Sequence, residues 1–193
     1  MKPASLRTIK SEIRVVGIDD GNSVSVGKDK VSLVGVVFRG GRWLDGVLRT
    51  KIKADGSDVT RKIVRMIKNS GHYGQIRVLM LSKIFFGKSN LVDLQYLFKK
   101  LEKPVMVCMS KSLNVGRLKK RLESSCEGKD KLKLLKTFGT PLRLEYDKGK
   151  HVYVFLCGIN EADAKEILNL TVRDSVPEPL RVAKLIASAL QKV

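Results

Sequence analysis

Ile13-Arg14-Val15-Val16-Gly17-Ile18, running into Asp19-Asp20-Gly21-Asn22, is the stretch that decides the fold. Its near-continuous apolarity at strand length predicts a strand covered on both faces, at the centre of a sheet. The residues that stop it are dense in turn formers. After a polar loop, Val31 to Phe38 reads as a second strand. Arg39-Gly40-Gly41 then turns the chain into a third, Trp43 to Ile52. A Gly-Gly connection between two β-rich runs signals a hairpin, so the chain opens with three consecutive antiparallel strands.

Further along, Asp58 is placed to cap a helix through about Asn69, in which Ile63, Met66 and Ile67 recur at helical spacing. Ile76 to Leu81 predicts a buried strand, Ser82 to Asn90 a loop, Leu91 to Leu101 a helix and Val105 to Met109 another strand. Strands alternating with helices imply right-handed parallel crossovers. A basic helical stretch follows from Asn114 to Lys136, broken near Glu127-Gly128. Two short strands, Leu142 to Tyr146 and Val152 to Leu156, flank the turn Asp147-Lys148-Gly149. Helices from Glu161 to Leu170 and from Pro177-Glu178-Pro179 onward close the chain. No repeat or linker divides it, so residues 1–193 are expected to form one domain.

Composition narrows the partners. Among 193 residues, 38 are Lys or Arg and 19 are Asp or Glu, a net charge of +19. A charge-rich surface stabilised by ion-pair networks would carry the two signs in comparable numbers. Here unpaired positive charge repels itself, and a polyanion would relieve that repulsion, which favours DNA or RNA. Membrane lipid fits less well, because no basic amphipathic helix has a broad apolar face to insert. There is no signal-peptide-like stretch and no apolar run of membrane-spanning length. Cys108, Cys126 and Cys157 lie far apart without a CxxC pair, and reduced thiols of this kind imply a cytoplasmic protein.

Three antiparallel strands followed by helix, strand, helix, strand is the element order of the ribonuclease H-like fold. The expected class is therefore α/β, with a mixed sheet ordered 3-2-1-4-5, flanking helices, a small extra hairpin and C-terminal helices. Ligands of open α/β sheets bind beyond the carboxyl ends of strands. That directs attention to Asp19 and Asp20, beside Ser82. Paired carboxylates at such a tip can hold Mg²⁺, a hard cation that takes oxygen ligands and bridges to phosphate. Asp-Asp-Gly-Asn is also ordinary turn chemistry. Cys108 reads as a core thiol, and the isolated His72 and His151 form neither a zinc site nor a triad.

Val16 to Gly21, the hairpin Phe38 to Leu48, Asp55-Gly56-Ser57-Asp58-Val59-Thr60 and Pro177 to Ala183 resemble an archaeal, functionally uncharacterised family related to endonuclease V. The resemblance covers almost the whole chain. It implies a ribonuclease H-like fold and distant kinship to Mg²⁺-dependent enzymes that cut beside deaminated bases. By it, Asp19 falls at the first metal-binding Asp of endonuclease V, and Asp55 or Asp58 near its second acid. Asp19, Asp20, Asp55 and Asp58 are thus the candidate catalytic residues, with Asp19 and Asp20 the candidate metal ligands. The family resembled carries Leu-Asp-Gly-Ile after the fourth strand and a His near the end. This chain has Leu81-Ser82-Lys83-Ile84 and Lys184.

Ser82 offers a neutral oxygen in place of a carboxylate, while Lys83 and Lys88 bring positive charge to the same loop. A lysine ammonium can stand in for a cation and hold phosphate. The candidate nucleic-acid contacts are Arg39 and Arg42 beside Trp43, Lys83, Lys88, Arg117, Lys119, Lys120, Arg121, Arg181 and Lys184. Lys129, Lys131, Lys133 and Lys136 extend that basic surface. These features imply a nucleic-acid-binding relative of endonuclease V with a partly degenerate metal site and weak or lost nuclease activity. The alternatives are an active Mg²⁺-dependent endonuclease acting on deaminated or structured DNA or RNA, and a basic scaffold of a ribonucleoprotein assembly.

Overall fold

In a computed structural model, which describes residues 9–21, 29–123, 125, 127–147, 149–173 and 175–191, the Ile13 stretch becomes strand β1, Arg14–Asp19. It runs antiparallel to β2 (Lys30–Arg39), which pairs in turn with β3 (Trp43–Lys53). Helix α1 (Val59–Lys68) crosses to β4 (Val78–Leu81), which lies parallel to β1 on its other side. A small hairpin, β5 (Phe85–Phe86) and β6 (Asn90–Leu91), precedes α2 (Leu94–Leu101) and β7 (Val105–Met109), parallel to β4. Two basic helices, α3 (Val115–Glu123) and α4 (Gly128–Lys136), lead into the hairpin of β8 (Leu142–Asp147) and β9 (Lys150–Cys157). Helix α5 (Glu161–Thr171), a two-stranded turn of β10 (Val172–Arg173) and β11 (Val176–Pro177), and α6 (Glu178–Gln191) complete the described residues.

The sheet order is β3-β2-β1-β4-β7-β9-β8. Its first five positions are the predicted 3-2-1-4-5. The late hairpin joins the same sheet, with β9 antiparallel to β7. The periodicity of β1 explains its central place. Val16 and Ile18 are buried against α1 and α2, through residues such as Ile63, Ile67 and Leu97. Val15 is buried on the opposite face with Val78, Met80 and the α5 residue Ile167. Val34 and Val36 of β2 meet Ala183 and Ala187 of α6. On the inner face of α6, Leu180, Ala183 and Ala187 are buried, with Ile186 and Leu190 partly so.

Two local differences from the sequence reading have simple causes. Helix α2 starts at Leu94 rather than Leu91, because Asp93 caps it by accepting the Tyr96 N–H at 2.9 Å. The segment read as a loop before it contains the β5–β6 hairpin. One close approach positions the functional region. A Cβ on Gly17 would collide with the Pro179 backbone, so glycine lets the first turn of α6 lie directly on β1. That crossing brings Arg181 and Lys184 over the carboxyl end of the sheet.

Candidate functional site

Side chains alternate along a strand, so Asp19 points to the α5–α6 face, in step with Val15 and Gly17. Its neighbour Asp20 turns toward the β5–β6 hairpin. Both are buried, Asp19 with 3 % and Asp20 with 0 % of its surface exposed. Asp19 Oδ1 accepts the Gly21 N–H at 2.5 Å. Asp20 Oδ2 accepts the Gly87 N–H at 2.5 Å, and its Oδ1 forms an ion pair with the Lys83 ammonium. Lys83 Nζ also donates to the Gly21 carbonyl at 3.3 Å, which fixes the ammonium across the tip of β1. Behind the tip, Gln191 Nε2 donates to the carbonyls of Asp20 and Ser32, each at 3.2 Å, tying the end of α6 to β1 and β2.

Burial pushes the Asp19 carboxyl above its ordinary range, and the nearby Asp20 adds to the rise. The Lys83 charge, the Ser82 hydroxyl and the Gly21 N–H pull the other way. Ser82 Oγ is itself buried and makes no hydrogen bond of ordinary geometry among the described residues. Asp19, Ser82 and Lys83 line a cleft of about 400 Å³ beyond the carboxyl ends of β1, β4 and β7, with Ser110, Arg181 and Lys184. The charged groups there are three cations and Asp19. Glu178 anchors Arg181 through two hydrogen bonds of 2.6 and 2.5 Å, which hold the Glu178 carboxyl below its usual range. Cys108 also borders the cleft, but burial lifts its thiol to about 12, so it is no nucleophile.

The acids after β3 are engaged elsewhere. Asp55 Oδ1 accepts from Ser89 Oγ and stands 3.5 Å from Lys131 Nζ, which also donates to Ser89 Oγ at 3.1 Å. Asp58 Oδ1 accepts from Asn90 Nδ2 at 2.7 Å and the Lys53 N–H at 3.1 Å, while Asn90 Oδ1 takes the Val59 N–H at 3.0 Å. Neither acid lines the cleft that Asp19 shares with Ser82. Among the described residues, no three His, Cys, Asp or Glu side chains come together in a way that could hold a metal ion. The Lys131 network, Asn90, Gly87 and Gln191 were missed by sequence reasoning. Lys131 carried a signal: it lies four residues from Leu135, on the buried stripe of α4.

The candidate phosphate contacts fall in three places. Lys83, Arg181 and Lys184 meet at the cleft. Lys88 is exposed after β5, and Arg117, Lys119 and Lys120 are exposed on α3, as are Lys129, Lys133 and Lys136 on α4. Arg39 and Arg42 sit at the opposite end of the sheet, on the β2–β3 turn with Trp43. The side chain of Arg121 lies outside the described part of the structure, as do Asn22 and Cys126. Among the described residues no helix is long and apolar enough to cross a membrane.

The family model for endonuclease dU matches residues 11–191, which takes in the cleft and every strand of the main sheet. The chain belongs to the endonuclease dU family. It is similar to a UPF0215 protein of Methanosarcina mazei, 41 % identical over 184 residues that cover 94 % of this chain and 92 % of that one. A UPF0215 protein of Methanothermobacter thermautotrophicus is 40 % identical over 192 residues, covering 98 % and 93 %. Among solved structures, a protein of unknown function from Archaeoglobus fulgidus superposes with a TM-score of 0.81 at 28 % identity, over 92 % of this chain and 97 % of that one. Human endonuclease V gives a TM-score of 0.62 at 16 % identity over 94 % and 85 %, which places this endonuclease dU family member in the ribonuclease H-like fold. Endonuclease V of Ciona intestinalis, solved with a DNA 24-mer containing inosine, gives 0.60 at 14 % identity over 94 % and 86 %.

Proposed function

We propose that this endonuclease dU family member binds DNA or RNA along the cleft at the carboxyl end of its sheet, with Mg²⁺-dependent cleavage weak or lost. The observation that carries this reading is the Lys83–Asp20 ion pair, with the same ammonium on the Gly21 carbonyl. A divalent ion serving phosphodiester cleavage needs carboxylates whose charge is free to offset its own. Asp20 is already neutralised by Lys83. Asp55 and Asp58 are committed to Lys131, Ser89 and Asn90, which leaves at the tip one carboxylate, Asp19, and the neutral Ser82 Oγ. This donor set fits a two-ion cluster poorly. It suits a phosphate instead, which Lys83, Arg181 and Lys184 can hold by charge.

An active endonuclease is the second reading. It draws on the burial of Asp19 and Asp20 at the strand exit and on the family match itself. One assay separates the two. Plain strands, and strands containing inosine or deoxyuridine (the dU of the family's name), are tested as DNA and as RNA for binding and cleavage, with and without Mg²⁺. The proposal expects binding without Mg²⁺ and little cleavage with it. Log affinity should fall linearly with log salt, by about 0.7–0.9 per phosphate contact. Rapid Mg²⁺-dependent cutting establishes the second reading, and salt-insensitive affinity points to a different kind of partner.

A further inference from the structure

The β2–β3 turn is held as a rigid platform. Gly40 and Gly41 have φ of +57° and +66°; a Cβ at Gly40 would fall on the Ser11 carbonyl oxygen, and one at Gly41 would lie 2.7 Å from Thr171 Cα. The turn is thus wedged between the segment before β1 and the end of α5. It displays Trp43 with 60 % of its surface exposed, beside a hollow of about 270 Å³ lined by Arg39, Arg42 and Arg173. Glu12 is the one acid lining it. Asp45 stands nearby but is taken up by Arg14 at 2.8 Å. Arg39 Nε lies 3.8 Å from the other Asp45 oxygen and makes no hydrogen bond among the described residues, although it is buried.

An exposed indole on a fixed turn beside surplus guanidinium charge is the pairing that single-stranded nucleic acid uses. Bases stack on an aromatic face whatever their identity, while arginines take the phosphates. We propose that the amino end of the sheet is a second binding site, for single-stranded DNA or RNA, in which a base stacks on Trp43 and the adjoining phosphate enters the Arg39–Arg42–Arg173 hollow. The site is separate from the cleft, because the six residues of β1 set the two ends roughly 20 Å apart. A second copy of the chain docking along β3 is disfavoured. Arg49, Lys51 and Lys53 are exposed on that edge strand and would face like charges.

Trp43 is the lone tryptophan, so its fluorescence reports this site alone. A short oligothymidylate is titrated into the full chain while Trp43 emission and the anisotropy of a labelled strand are both recorded. The expected result is saturable quenching, with the quenching midpoint shifted to weaker binding by about tenfold in Arg42→Ala/Arg173→Ala. Trp43→Ala, followed by anisotropy at low strand concentration, should lose about tenfold as well, the scale of one base–aromatic stack. Three results overturn the proposal: anisotropy binding without quenching, quenching indifferent to the arginine changes, and emission that shifts with protein concentration as the chain dimerises. Absence of any binding overturns it too.

Discussion

Two lysine–aspartate pairs brace the loop between β4 and α2, and their burial is reversed. In Lys83–Asp20 the carboxylate is fully buried while the lysine side chain keeps 34 % of its surface exposed. In Lys131–Asp55 the lysine is 4 % exposed and the aspartate 43 %. The buried partner is the one that cannot rehydrate when its counter-charge is removed. In the first pair the exposed cation is the exchangeable member, and it borders the cleft. In the second the cation is locked into the protein and ties α4 to the turn after β3. One pair keeps its cation at the cleft; the other holds the frame that surrounds it.

The largest expected effect comes from deleting the exposed cation. Lys83→Ala leaves Asp20 buried with the Gly87 N–H and no counter-charge, which should cost about 3 kcal/mol. For a chain of this length that lowers Tm by roughly 6–12 °C. Millimolar Mg²⁺ should restore part of the loss, because the vacated position then suits a cation. A thermal scan showing no change on either count would remove the distinction between the pairs. Next in size is Asp55→Ala, which strands the Lys131 ammonium with Ser89. Because Asp55 is itself half exposed, the cost should be about 1–2 kcal/mol in urea unfolding, with no response to Mg²⁺. Lys131→Met removes the buried charge altogether and should cost less than Asp55→Ala, by the same measurement.

The smallest effect concerns Asp19. Its folded-state carboxyl titrates above the ordinary range, so the folded chain binds that proton more tightly than the unfolded chain. The resulting stability is complete below the ordinary carboxylate pKa and is lost as pH rises through the folded value. Asp19→Asn, which keeps the oxygen that accepts the Gly21 N–H, should therefore raise Tm at neutral pH. The gain should shrink as pH falls through the carboxylate range. A gain independent of pH would mean that burial is not what shifts Asp19.

The sheet was legible because its signals are local. The apolar run before Asp19 and the Gly40-Gly41 turn each dictate backbone geometry within a few residues. The attachment of β9 to β7 was not legible, since pairing of that hairpin depends on an edge formed some fifty residues away. At the site, the strand exit and the two acids could be read, as could the positive charge that Lys83 brings to them. The commitments of the other acids could not. Asp55 and Asp58 stand beside Asp19 by resemblance, whereas their partners Ser89, Asn90 and Lys131 lie 32 to 76 residues distant in the chain. Lys131 reads as part of the phosphate-contacting basic surface because its charge outweighs its place on the buried stripe of α4.

The central claim is that the Lys83 ammonium occupies the place at the tip of β1 where a divalent ion would otherwise be held. Calorimetric titration of Mg²⁺ or Mn²⁺ into the parent chain and into Ser82→Asp/Lys83→Gly tests it directly, since the double change adds a carboxylate beside Asp19 and removes the resident cation. The account predicts weak or no binding to the parent and a clear gain in affinity for the variant. Two ions bound by the parent, with cleavage of inosine- or deoxyuridine-containing strands equal to that of the variant, would contradict it.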